Sequence, residues 1–145
     1  MLLYRPTNSA FTLIELLTTL IILGIVATFA IPSYNKYILR SRVNAMYEAA
    51  TAAKFIVADD YNNQGQFPSY GSNTTPFTKA KADYIASISI DNGIITITGV
   101  SSKLQNKSIT LTLKPKITPA NQVAWQCCIS SINYFDYAPP ECRNK

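Results

Sequence analysis

The sequence predicts an α+β protein in which one long N-terminal helix packs on a four-stranded antiparallel sheet. Three observations carry that expectation. Helical patterning runs almost without interruption to about residue 64, four short segments of alternating polarity fill the second half, and hairpin and loop punctuation separates them. At 145 residues the chain suits a single domain.

The first element is the apolar run FTLIELLTTLIILGIVATFAI at 11–31. As a helix it would be about 31 Å long, enough to cross a hydrocarbon core of roughly 30 Å. Its one ionisable residue is Glu15. A secretory signal peptide cut after Thr28-Phe29-Ala30 is one reading, although this core is longer than the usual 7–15 residues. A plain membrane anchor is another, and it leaves the carboxylate as an unexplained cost.

Pro32 removes a backbone N–H and its ring clashes with the carbonyl of Thr28, so a kink or loosening is expected there. Gly24 is a second weak point. Beyond Pro32 neither Pro nor Gly recurs until Gly65, which suits a C-terminal cap after Asn62-Asn63-Gln64. Ile38, Val43, Ala45, Ala49, Ala53 and Ile56 are read as the apolar side, and Ala49-Ala50 and Ala52-Ala53 are small enough for close packing on a sheet. Lys36, Arg40 and Arg42 follow the apolar run, and the positive-inside rule alone would hold them in the cytoplasm. The cysteines point to the opposite orientation.

A loop rich in Gly, Ser, Asn, Thr and Pro (62–79) leads into the strands. In YIASISI (84–90), Tyr84, Ala86, Ile88 and Ile90 are placed on one face. Asp91-Asn92-Gly93 signals a hairpin into IITIT. SITLTL (108–113) presents Ile109, Leu111 and Leu113 opposite Thr110 and Thr112, and QVAWQCCI sets Val123, Trp125, Cys127 and Ile129 opposite Gln126 and Cys128. The apolar face needs cover, and the alanine-rich helix supplies it.

Composition narrows the chemistry. The chain has no histidine, which removes the commonest general base and metal ligand along with any Ser/His/Asp or Cys/His set. No glycine-rich phosphate loop is present, and Asp59-Asp60 and Asp91-Asn92 lack the ligand count of a calcium loop. No enzyme activity, cofactor or metal is expected. Asn73-Thr74-Thr75 and Asn106-Lys107-Ser108 fit the short glycosylation acceptor pattern. Cys127, Cys128 and Cys142 cluster near the C-terminus, which suggests a local disulfide in an oxidising compartment with one thiol left over.

The junction of MLLYRPTNSA with FTLIEL resembles the class III leader of type IVa prepilins. That resemblance implies a cleaved leader at 1–10 with Arg5 as its basic residue, a cut between Ala10 and Phe11, and N-methylation of Phe11. The family carries Gly before the cut where this chain has Ala10, the next smallest residue. It further implies that Glu15 directs assembly by pairing with the new amine of a neighbouring subunit, and that Gly24 and Pro32 bracket a stretch able to unwind in the fibre.

The ending Trp125-x-Cys127 with Pro139-Pro140-Glu141-Cys142-Arg143 resembles the type IVa pilin tail, and by it Cys127 pairs with Cys142. Adjacent Cys128 leaves an alternative pairing open. The implied domains are a leader (1–10), a long helix (11–64) with its membrane and filament-core part at 11–31, and a head (65–145) in the type IV pilin, or ladle, fold. The resemblance implies a structural subunit, the major pilin, that polymerises into a helical homopolymer. It would begin in the inner membrane, meet prepilin peptidase and the pilus assembly machinery, and end in an extracellular pilus on a bacterial surface. Adhesion to a host surface, twitching motility or DNA uptake would follow.

Two alternatives are carried. One is a minor or competence pilin binding DNA through Lys103, Lys107, Lys114, Lys116 and Arg143, aided by the formal charge of +5. The other is a type II secretion pseudopilin, against which the disulfide-bonded tail argues.

Overall fold

The computed structural model describes residues 10–71 and 82–143. Helix α1 spans Leu13–Gln64 and is followed by β1 (Ile85–Asp91), β2 (Ile94–Gly99), β3 (Thr110–Ile117) and β4 (Val123–Ile129). The strands form one sheet in the order β1-β2-β3-β4, antiparallel at every pairing. Short 3-10 turns occur at Ser101–Lys103, Ile132–Tyr134 and Pro140–Cys142. The α+β architecture is therefore as expected. The chain divides after Asn35 into two compact units.

In the larger unit, Leu39, Val43, Met46, Ala50, Ala53 and Val57 recur every four, three, four, three and four residues. That spacing puts one apolar stripe on α1, and each of these residues is fully buried. Four residues expected in the stripe, Ile38, Ala45, Ala49 and Ile56, are only half-buried. Each has an apolar neighbour that takes its place, in Ile38-Leu39, Ala45-Met46, Ala49-Ala50 and Ile56-Val57, so periodicity alone could not choose between two adjacent stripes. The buried sheet residues Ile85, Ile88, Ile90, Ile95, Ile97, Leu111, Leu113, Cys127 and Ile129 complete the core with it. No polar side chain is buried among the described residues.

Two strand readings also change. In β1 the register slips between Ile85, opposite Gly99, and Ser87, opposite Thr98. This bulge turns Ile85 inward with Ile88 and Ile90 and leaves Tyr84 and Ala86 half-buried. Strand β3 continues past Leu113 through Lys114-Pro115-Lys116 to Ile117. Proline is tolerated because β2–β3 pairing stops at Leu113, so beyond it β3 has β4 as its one neighbour among the described residues.

Local chemistry fixes the joints. Gly65 adopts φ +69° and donates its N–H to the Tyr61 carbonyl at 2.8 Å, closing α1 as expected. Asn92 and Gly93 take φ 46° and 75°, the two positive angles of a type I′ hairpin between β1 and β2. At Gly99 a Cβ would lie 2.2 Å from Leu104 Cδ1 and 3.3 Å from the Ile109 carbonyl, so any larger residue would force the buried Leu104 side chain to move.

Candidate functional site

Every residue from Ala10 to Tyr37 is exposed in the single chain, including Phe11 at 85%. An apolar helix with no buried face in its own fold requires an apolar partner, either lipid or other helices. Its length and composition are sufficient to cross a membrane. The hydroxyls in this segment ask for nothing from outside. Thr18, Thr19, Thr28 and Ser33 each donate to a carbonyl three or four residues earlier.

The helix begins at Leu13 rather than at Phe11, and a motif missed in the sequence explains why. Thr12-Leu13-Ile14-Glu15 is a capping box. The Thr12 N–H and hydroxyl both donate to Glu15 Oε2 at 2.9 Å, and the Glu15 N–H donates back to Thr12 Oγ1 at 3.3 Å. Glu15 is thus oriented by its own helix end. Among the described residues Oε1 accepts no bond, so half of the carboxylate is open to a further donor or a cation. The Phe11 backbone lies one residue before the Thr12 N–H that Glu15 holds.

Helix α1 runs on through Pro32. At Gly24 an added Cβ would meet nothing within 4 Å, so no contact in the lone chain demands glycine there.

The basic residues that follow the apolar run have local tasks that sequence spacing could not reveal. Lys36 Nζ donates to Asp136 Oδ2 at 3.1 Å, Arg40 Nε donates to the Asp136 carbonyl at 2.6 Å, and Arg42 donates to the Lys103 carbonyl. Lys36 and Asp136 are one hundred residues apart, beyond any local signal. The Lys36 ammonium, through its hydrogen bond and its charge, holds the Asp136 carboxyl below the usual range, and Arg40 and Arg143 add to that field.

At the far end of the chain, Cys127 and Cys142 form the disulfide that tail resemblance implied. Cys142 is fully buried and Cys127 nearly so, and the bridge ties the 3-10 turn Pro140–Cys142 to edge strand β4. Cys128 is free and half-buried, opposite Thr112 on the other face.

The five basic residues singled out for DNA stand on three parts of the head: the β2–β3 connection, β3, and the end of the last 3-10 turn. Lys103 pairs with Asp83 at 3.4 Å, and Lys107 lies 5.7 Å from the Tyr137 ring centroid, both in or beside the β2–β3 connection. Lys114 and Lys116 continue the row begun by Thr110 and Thr112 on the outer face of β3. From Thr110 to Lys114 alone is about 14 Å of strand. Arg143 donates Nε to the Ala138 carbonyl at 3.1 Å. The acceptor pattern Asn73-Thr74-Thr75 lies outside the described residues. No group of three or more Cys, Asp or Glu suited to a metal occurs among the described residues.

Comparison with known proteins agrees with this division of the chain. The sequence profile described as pilin (bacterial filament) matches residues 39–143, and that of the prokaryotic N-terminal methylation motif matches residues 5–31. The chain is 31% identical to fimbrial protein EcpC of Eikenella corrodens over 97% of its own length and 94% of that protein's. It is 32% identical to a type IV major pilin protein PilE1 of Neisseria gonorrhoeae, covering 72% of this chain and 62% of that one. Over 39% of the chain, identity to the type IV major fimbrial protein FimA of Dichelobacter nodosus reaches 48%, across 35% of that protein. A helix left bare by its own fold is the contact surface that a filament subunit must carry, and this chain belongs to the type IV pilin family, whose members are structural subunits of bacterial filaments.

Proposed function

We propose that this chain is the major pilin of a type IV pilus and that it polymerises as a helical homopolymer through residues 11–31. The observation that carries the reading is the exposed apolar helix whose single carboxylate is held at its start by Thr12. Cleavage between Ala10 and Phe11 by prepilin peptidase would create an ammonium one residue before the capped Thr12 N–H, and N-methylation would follow on Phe11. The open Oε1 of Glu15 then meets the amine of a neighbouring subunit. Two charges that are costly alone in an apolar setting cancel when they are paired in register.

In this reading the precursor sits in the inner membrane, awaiting the assembly machinery, and the mature subunit ends in an extracellular fibre. Gly24 and Pro32 are its points of extensibility, because helix at Pro32 lacks one backbone donor. Heads coat the fibre and support adhesion or twitching motility, and no catalysis is assigned to the chain. Intact-mass spectrometry of sheared fibres, reduced and unreduced, tests the proposal. A dominant species beginning at N-methylated Phe11 and carrying one disulfide is expected. A trace signal in abundant fibres would overturn the major-pilin assignment, and a mature chain starting near Ile31 would overturn processing at Phe11.

A further inference from the structure

We propose that the depression where α1 meets the C-terminal tail is a binding site for a single oxyanion, a carboxylate or phosphate group. The depression holds about 130 Å³ and is lined by Arg40 and Asn44 of α1 together with Tyr137, Pro139, Pro140 and Arg143. A typical small-molecule pocket is roughly 300 Å³ or more, so this one admits a charged group rather than a whole ligand.

Both guanidinium groups are pinned through Nε, and the nearby Asp136 carboxylate, whose charge they help to hold, is shared with Lys36. Arg40 spends Nε on the Asp136 carbonyl and Arg143 spends Nε on the Ala138 carbonyl. Those acceptors are uncharged. Neither arginine donates from Nη to a described residue, so the forked ends that suit a carboxylate or phosphate remain in hand. The Asp136 carboxylate in this cluster already accepts the Lys36 ammonium. With Glu141 of the last 3-10 turn also counted, Lys36, Arg40 and Arg143 lead Asp136 and Glu141 by three charges to two.

The scaffold is preformed. Arg40 stands on a continuous helix, and Arg143 follows Cys142, which the disulfide anchors in the core. Half-buried Tyr137 and buried Pro139 supply an apolar wall, where charge attraction is stronger than in open water. Such preorganisation lowers the entropy lost on binding.

The anion has two candidate sources, a free solute or an acidic side chain from a second copy in the fibre. The test titrates inorganic phosphate into the full-length protein in nonionic detergent and follows the arginine Nε–Hε resonances, against sodium chloride at matched ionic strength. Saturable shifts of the Arg40 and Arg143 signals are expected with phosphate and not with chloride. Each of Arg40→Gln and Arg143→Gln should weaken binding about tenfold, the loss of one charged hydrogen bond. Two separate variants are used because each arginine also holds a different tail carbonyl, Asp136 for Arg40 and Ala138 for Arg143, and a thermal melt of each variant shows that the tail stays folded. Lys116→Gln, on the outer face of the sheet, should leave affinity unchanged. Linear shifts, shifts reproduced by chloride, or wild-type affinity in either Gln variant would overturn the site. Retention of phosphate on pelleted wild-type fibres would identify a free solute as the natural occupant. Binding to detergent-dispersed subunits with none to fibres would identify a neighbour's carboxylate. Either result upholds the pocket.

Discussion

Removing the disulfide should cost the head about 3 kcal/mol, the loop-entropy value for a ring of this size, since Cys127 and Cys142 are separated by 15 residues. Both positions lie in the core, with Cys142 at 0% exposure, so the replacement matters as well as the lost bond. Cys142→Ala removes the bridge and keeps the site apolar. Cys142→Ser adds a hydroxyl among apolar neighbours and should cost a further 1–3 kcal/mol or so if that hydroxyl finds no partner. Cys127→Ala and the double Cys127→Ala/Cys142→Ala should both match Cys142→Ala closely, because all three delete the same link.

Guanidinium titration of the full chain in mild detergent, followed by Trp125 fluorescence, gives the assay. Trp125 is the chain's one tryptophan and stands on β4, opposite Pro115, close to where the bridge attaches. Cys128→Ser in every variant prevents its thiol from exchanging with the bridge; on the half-buried outer face that change should be nearly neutral. In a thermal experiment the alanine variants should melt about 12–24 °C lower, at roughly 4–8 °C per kcal/mol for a head of this size. A loss below about 1 kcal/mol would refute the loop-entropy account. So would single and double variants that differ by more than experimental error, since a shared bond cannot be lost twice.

Gly99→Ala should destabilise the head by about 1–3 kcal/mol, because Leu104 and the Ile109 carbonyl that meet the new methyl are themselves held in place; equilibrium unfolding checks it. Thr12→Val and Glu15→Gln separate the two roles of the capping box. Thr12→Val loses the cap, about 1 kcal/mol at the helix end, whereas Gln retains it and loses the charge. Sheared-fibre yield should fall sharply for Glu15→Gln and little for Thr12→Val; equal losses would assign assembly to the cap instead. The head should also have a pH window with two defined edges. The depressed Asp136 carboxyl contributes stability at neutral pH that fades as pH falls through and below about 4, and the Tyr70 hydroxyl, raised by its bond to Asp60, contributes stability that is lost above about pH 10. Melting temperature against pH checks both edges, and Asp136→Asn should flatten the acid one.

Much of the architecture was legible because the decisive signals were local. Asn92-Gly93 needs two positive φ angles and sits between alternating strands, Gly65 ends a proline-free helical stretch, and the four strand segments each show a period of two. The misreadings arose where local patterning was degenerate. Apolar doublets along α1 fitted two stripes equally well, one bulge changed the inward residue at the start of β1 from Tyr84 and Ala86 to Ile85, and Pro115 was tolerated because a neighbouring strand had ended. At the candidate site the sequence exposed the cleavage motif, Glu15 and the cysteines. It concealed the clamp at Asp136 and the arginine-lined depression, because the partners there come from opposite ends of the chain. The capping box is legible as Thr-x-x-Glu, but the same carboxylate also reads as a lone charge in an apolar run, and spacing does not rank its charge against its geometry.

That geometry bears on what drives assembly. Lipid tails cover an apolar helix about as well as other helices do, so leaving the bilayer for a fibre core gains little from apolar burial alone. The hydroxyls of the segment are satisfied within the helix and add no difference between the two states. What differs is the charge. In the proposed cycle the capping box fixes Glu15 Oε2 on its own chain and leaves Oε1 for a cation, and cleavage supplies that cation only on processed subunits. A misregistered neighbour would bury both charges unpaired, an arrangement far costlier than the paired one. On this proposal, apolar surface makes the helices compatible with one another, while the single carboxylate would decide whether, when and in which register they join.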